Sequence, residues 1–263
     1  MADDRRAALK ALMEWYVEAG VDLAVDEAPH DRFQPPAKAA PPAPARPPPS
    51  APATTARPPA MALDDAVAEA RQRAASAASL DELRQLLHSF DGCALKQTAS
   101  RLVFADGAPG SRVMFVGEAP GAEEDREGLP FVGRSGKLLD RMLAAVGMRR
   151  SDAYIANVIP WRPPGNRTPT PQETAMCLPF IERQIELAGP AILVCLGGPS
   201  AQTLLRQREG IMRLRGNWFG YRMGDREIPA LATLHPAYLL RQPAQKRLAY
   251  RDMLALRGRL DQG

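Results

Sequence analysis

From residue 111 onward the chain alternates apolar runs with amphipathic stretches, and no other feature of it constrains the fold as much. Val113-Met114-Phe115-Val116 has the apolar, β-branched character of a buried strand, and Lys137 to Val146 repeats with helical period. Ala153 to Ile159, Ala191 to Leu196 and Ile228 to Leu234 read as three further strands. Between and after them, Gln172 to Leu187, a stretch from Ser200, and Gln245 to Leu260 read as helices. Trp218 to Met223 suggests a hairpin arm ahead of the last strand. Strand–helix alternation yields a mainly parallel sheet covered by helices on both faces, an α/β chain. In such sheets ligands bind beyond the carboxyl ends of the strands, so the residues just after each strand carry the chemistry.

The chain before that region is organised differently. Residues 5–20 place Leu9, Leu12, Met13, Tyr16 and Val17 at helical spacing, and eleven prolines follow between Pro35 and Pro59. The reading is an N-terminal amphipathic helix over 1–28, a semi-rigid Pro/Ala linker over 29–61, a helical lead-in over 62–90 and one catalytic-size domain over 91–263. Ser79 ahead of Asp81-Glu82 is placed to cap a second lead-in helix. The first helix would dock either on a protein partner or back on its own domain. Charge is uneven: −3 over residues 1–90 and +7 over 91–263 make up the net +4. The basic stretch Arg241, Lys246, Arg247, Arg251, Arg257 and Arg259 is opposed only by Asp252, which suits a polyanionic partner. Three scattered cysteines give no disulfide framework, and no apolar run reaches the roughly 18 residues of a membrane span. A cytoplasmic location and a monomer are the expectations.

The strand ends carry four chemical types. Gly117-Glu118-Ala119-Pro120-Gly121 leads to Glu123-Glu124-Asp125 and then to Pro130-Phe131-Val132-Gly133. Asn157 precedes Trp161-Arg162-Pro163-Pro164-Gly165-Asn166-Arg167, Gly197-Gly198 ends the third strand, and His235-Pro236-Ala237-Tyr238 ends the fourth. Each has an ordinary reading as a turn, helix N-terminus, core plug or satisfied histidine. Converging on one pocket, they match the needs of removing a pyrimidine base from DNA. A flipped base needs an aromatic platform, which Phe131 supplies, and a reader of its Watson–Crick edge. The Asn157 carboxamide donates and accepts in one plane, matching a carbonyl beside a ring N–H. His235, held extended by the following Pro236, can donate to the oxygen of the departing base. Glu118 or Glu124 can orient water and offset positive charge on the sugar.

Competing chemistries lack their residues. A phosphate loop ending at Gly136-Lys137 would need glycine where Phe131 stands and Ser or Thr where Leu138 stands. The dinucleotide glycine pattern is missing after the first strand. No Pro-Cys-x-x-Cys is present to hold a deaminase zinc, and no other ligand spacing points to a metal.

From about Cys93 to the C-terminus, the ordered strings Gly-Glu-Ala-Pro-Gly, Pro-Phe-Val-Gly, Asn157 followed by Arg-Pro-Pro-Gly-Asn-Arg-Thr-Pro-Thr-Pro, and His-Pro-Ala-Tyr-Leu-Leu resemble the family 4 uracil-DNA glycosylases. The resemblance implies a three-layer α/β/α sandwich around a four-stranded parallel sheet. It implies a DNA repair enzyme that flips uracil, with other deaminated bases left open as substrates, from single- or double-stranded DNA and hydrolyses the N-glycosidic bond to leave an abasic site. Glu118, Glu124 and His235 would be catalytic, and Gly117, Ala119, Phe131 and Asn157 would form the base pocket. Tyr238, Leu239, Leu240 and Arg241 would approach the DNA, with Leu239 or Leu240 as the wedge, supported by Arg162, Arg167, Lys246 and Arg247. Family 4 members usually carry a four-iron, four-sulfur cluster on four cysteines. Here Cys93 and Cys177 match two of those positions, and Phe90 and Trp161 occupy the others. Two thiolates cannot replace four ligands, so the expectation is that the cluster is lost and aromatic packing fills its space. Two other relatives are conceivable: a binder that recognises uracil without cutting, and one that stays covalently attached to the abasic sugar. A basic, histidine-containing insertion usually marks the covalent kind, and here Gly133-Arg134-Ser135-Gly136-Lys137 runs straight into a helix.

Overall fold

The structure is a computed structural model that describes residues 60–262. The expected N-terminal helix lies outside the described residues. So does the linker, apart from its last two positions, where the first helix, α1 (Ala60–Ser76), has already begun. Helix α2 (Leu80–Ser89) starts as the sequence predicts, with Ser79 Oγ accepting from Glu82 N at 3.2 Å. A single turn, α3 (Leu95–Thr98), leads to the sheet.

Strand β1 (Asp106–Gly107) is followed by β2 (Val113–Gly117), the short helix α4 (Ala122–Glu127) and α5 (Arg134–Ala144). Then come β3 (Ala153–Asn157), α6 (Pro171–Ala188), β4 (Ile192–Leu196), α7 (Gly198–Leu205) and the turn α8 (Ile211–Leu214). Strands β5 (Trp218–Met223) and β6 (Arg226–Thr233) form a hairpin, and α9 (Pro236–Arg241) and α10 (Lys246–Asp261) close the chain. The sheet order is β1-β3-β2-β4-β6-β5. Its four central strands, β3-β2-β4-β6, are parallel, as the alternation requires. The sheet nevertheless has six strands rather than four, because an antiparallel strand pairs with each edge. β5 is the arm suggested by Trp218 to Met223. β1 is two residues long and has no apolar run to announce it.

Burial follows the layering. Every position of β2, β3 and β4 is buried, as strands covered on both faces must be. Met114, Val116, Tyr154, Ala156, Leu193 and Cys195 point to one face, where α1, α2, α6 and α7 pack. Val113, Phe115, Ile155, Val194 and Leu231 point to the other and meet Leu139 and Leu143 of α5 and Met253 and Leu256 of α10. The period of two along each strand thus produces the three layers. Helix α6 is fixed at its start by a reciprocal cap: Glu173 N donates to Thr170 Oγ1 and Thr170 N to Glu173. No helix among the described residues is long and apolar enough to cross a membrane.

Candidate active site

A cavity of about 580 Å³ opens at the carboxyl ends of the parallel strands. It gathers Glu118 and Ala119 after β2, Asn157 at the end of β3, Gly197 after β4 and His235 after β6, together with Glu124 and Phe131. Parallel register does the assembling. Gly117 lies opposite Asn157, Val158 N donates to Gly117 O at 3.0 Å, Ile159 N to Glu118 O at 2.9 Å, and Gly197 N to Thr233 O at 2.8 Å.

Gly117 is expected in the pocket and stands just behind its wall. A Cβ there would come within 2.6 Å of Phe131 Cζ and would also strike Asn157 Oδ1. The missing side chain is what lets the ring and the amide stand together. Asn157 is buried, and its Oδ1 has no hydrogen-bond partner. Leaving a buried carbonyl oxygen unpaired costs on the order of 1–3 kcal/mol, so the Asn157 carboxamide, on a residue that lines the cavity, is a polar group kept there at a cost. Phe131 is buried, with its backbone in the left-handed region at φ 54° and its ring centroid 5.4 Å from that of His235. For an aromatic residue that conformation is strained and must be held by its surroundings. Part of the hold is Gly136: a Cβ there would overlap the Phe131 carbonyl, so only glycine lets α5 start so close.

His235 has extended backbone, φ −68° and ψ 136°, as expected from the proline after it, and its Nδ1 accepts from Ala237 N at 3.1 Å. An Nδ1 that accepts leaves the proton of a neutral imidazole on Nε2. Burial, helped by the nearby Arg241 cation, pushes its pKa down to about 4, so at neutral pH the ring is an uncharged Nε2–H donor. The two carboxylates differ. Glu124 is buried, with Oε1 accepting from Gly133 N at 3.0 Å and Oε2 from Gly121 N at 3.1 Å. It ties the start of α4 to the start of α5. Glu118 is half-buried, makes no side-chain hydrogen bond among the described residues, and has its pKa raised by burial. The acids at 123–125 do form an ordinary helix start, that of α4, with Asp125 accepting from Ser100 N and Arg101 N.

The model of the uracil DNA glycosylase superfamily matches residues 104–255, which contain this whole pocket. The chain belongs to that superfamily. It is 40% identical over 169 residues to the type-4 uracil-DNA glycosylase of Archaeoglobus fulgidus, covering 63% of this chain and 85% of the relative. It is 44% identical over 150 residues to that of Thermotoga maritima, covering 57% and 77%. With that of Pyrobaculum aerophilum it shares 38% over 178 residues, covering 66% and 91%.

For a uracil-DNA glycosylase superfamily member, the surface around the mouth matters next. Arg167, Tyr238 and Arg241 line the mouth. Arg167 is engaged, donating to both Glu173 oxygens at 2.8 and 2.6 Å, and Arg162 Nε donates to Asn166 Oδ1 at 2.8 Å. Both arginines therefore brace the proline-rich loop. Lys246 and Arg247 are exposed on the first turn of α10, away from the pocket lining. Of the two wedge candidates, Leu239 must be set aside: it is fully buried, packed with Leu234 and Ala249, whereas Leu240 is 36% exposed. Sequence reasoning missed Ser135, Thr168, Pro199 and Ile211, which also line the cavity. Pro199 follows a strand end and could have been found by that rule. Ile211 arrives from a turn remote in sequence, and no local signal marks it.

The four positions matching cluster ligands lie in the core beside α6. Cys93 and Cys177 are buried free thiols with their sulfurs 3.8 Å apart, and Phe90 and Trp161 are buried with them. The Phe90 ring stacks obliquely on Phe180 at 4.9 Å. This donor set does not fit a four-iron cluster, which needs four ligands. No group of three or more His, Cys, Asp or Glu side chains suited to a metal occurs among the described residues.

Proposed function

We propose that this protein is a uracil-DNA glycosylase that acts on DNA by turning uracil into the cavity and hydrolysing its N-glycosidic bond. The observation that carries the reading is the buried Asn157 carboxamide, its Oδ1 unpaired, on a cavity wall that also carries the Phe131 ring and the neutral His235 imidazole. Uracil supplies what that oxygen lacks, a ring N–H, beside a carbonyl that the same amide's N–H can meet. Phe131 stacks on the base. His235 Nε2–H points its dipole at a uracil oxygen and strengthens that bond as the base leaves with the electron pair of the broken bond. Glu118 holds the water that attacks the sugar carbon, takes its proton, and offsets positive charge on the sugar in the transition state. What supports Glu118 over Glu124 is that both oxygens of Glu124 are occupied by backbone N–H groups. The products are free uracil and an abasic site.

The test is release of uracil from a uracil-containing oligonucleotide under single-turnover conditions. His235→Ala is expected to slow release by about 100- to 1000-fold, as loss of one transition-state donor does. Asn157→Ala is expected to slow it strongly and to lose preference for uracil over cytosine. Intact DNA that is bound more tightly with uracil than without would make the protein a reader, and a stable protein–DNA adduct would make it a trap.

The same reading includes no cluster. Phe90 and Trp161 fill that volume with packed rings. Purified protein is expected to lack visible absorbance near ~400 nm and to carry no stoichiometric iron. About four irons per chain, the usual cluster complement, would refute it.

A further inference from the structure

Phe131 is strained, and something outside the cavity has to keep it so. The residue before it, Pro130, has its carbonyl oxygen 2.5 Å from Nη2 of Arg150, a residue twenty positions later in the single turn that precedes β3. The same guanidinium donates through Nε to Asp106 of β1 at 2.6 Å and through Nη1 to Asp140 of α5 at 2.9 Å. Its side chain is 23% exposed. The planar fork of arginine is thus used on three partners at once, two of which fix the fork itself to the sheet edge and to α5. The third is the peptide carbonyl that leads directly into the left-handed Phe131. A platform displaced by an ångström no longer stacks on a base held by Asn157.

We propose that Arg150 is a positioning residue for base recognition, holding the Pro130 carbonyl so that Phe131 keeps its left-handed backbone and its place beside Asn157. The inference rests on the reading of the cavity as a uracil site. The two aspartates anchor the guanidinium, and the Pro130 carbonyl is its working contact.

Inhibition of base release by free uracil reads the pocket without involving the DNA surface. Arg150→Gln is expected to weaken that inhibition by about tenfold or more, in line with the cost of misplacing a contact group. Asp140→Asn removes an anchor but leaves the Pro130 contact, and is expected to keep inhibition within about twofold while lowering the melting temperature. Arg150→Lys, which keeps the charge but not the fork, should fall between wild type and Arg150→Gln. If Arg150→Gln does not fold, the lysine variant decides: weakened inhibition supports the role and unchanged inhibition overturns it. Equal weakening in Arg150→Gln and Asp140→Asn would reduce Arg150 to general support of α5 and overturn the inference. Wild-type protein that releases no uracil overturns the site reading as well. Wild-type release with undiminished inhibition in Arg150→Gln overturns the positioning role alone.

Discussion

Two of the ionisable groups that line the cavity, Glu118 and His235, are moved by burial in opposite directions for the same reason. Desolvation disfavours whichever form is charged, so the Glu118 carboxyl is raised and the His235 imidazole is lowered, to about 4. A carboxylate that must be ionised to hold water then loses activity as pH falls, and does so at a higher pH than an ordinary glutamate would. His235 is neutral throughout that range and adds no limb of its own above about pH 5. The pH profile of single-turnover release is therefore expected to show one acid limb, removed or displaced in Glu118→Gln and retained in slower form in His235→Gln. An acid limb that persists unchanged in Glu118→Gln would assign the water to another group. The sequence suggested both carboxylates, and nothing local separates them. What separates them is whether backbone N–H groups from Gly121 and Gly133 reach the oxygens, and Gly133 comes from the next helix.

Among the elements, the β6–α9–α10 corner carries the histidine and has its own lock. Asp252, on α10, is buried and accepts from Thr233 Oγ1 at 2.7 Å and from Arg215 Nε at 3.1 Å. Thr233 is the last residue of β6, two before His235. Arg215 also donates to Leu248 O at 3.0 Å. In the sequence Asp252 looks like a lone acid in a basic, solvated helix face. In the fold it is the buried half of an ion pair. Removing one partner of such a pair leaves the other charge uncompensated, so Asp252→Ala is expected to cost about 3–5 kcal/mol in urea unfolding. A loss under about 1 kcal/mol, the scale of an exposed pair, would mean that Arg215 finds water instead. The helices α4 and α9 show the limit of reading elements by periodicity. Each is six residues, less than two turns, too short for a repeat to declare itself. Both are set by what precedes them: Gly121 with Glu124 for α4, and His235-Pro236 for α9.

On the scale of the whole molecule, the positive charge of residues 91–263 has to find the phosphates flanking a flipped nucleotide. Arg241 stands at the cavity mouth beside the exposed Leu240, while Arg247 lies farther along the chain on α10. Binding to undamaged DNA is expected to weaken with salt, and Arg241→Ala should reduce the slope of log K against log salt by about 0.9 on duplex, one phosphate's worth. Arg247→Ala, an exposed position outside the cavity lining, serves as the comparison. An unchanged slope in both would move the DNA face elsewhere. Arg162 and Arg167 are expected to act less on the slope than on the loop, since their guanidinium groups are already bonded within it.

The sequence by itself determined the layered α/β architecture, the parallel core of the sheet, and the rule that chemistry gathers after the strands. Period-two burial and strand–helix alternation are local properties, and parallel connections leave few ways to arrange them. It also named Glu118, Phe131, Asn157 and His235: Glu118 and His235 follow strands that local patterning reveals, Asn157 closes another, and Phe131 was named from its Pro-Phe-Val-Gly string. Tertiary structure decided what depends on residues distant in the chain. It paired the edge strands β1 and β5, buried Leu239 while exposing Leu240, occupied Glu124 with backbone donors, and left Asn157 Oδ1 without one. Hydrogen-bond satisfaction and burial are sums over neighbours from several segments. No local pattern encodes them, and they distinguish a residue that works in the pocket from one that builds it.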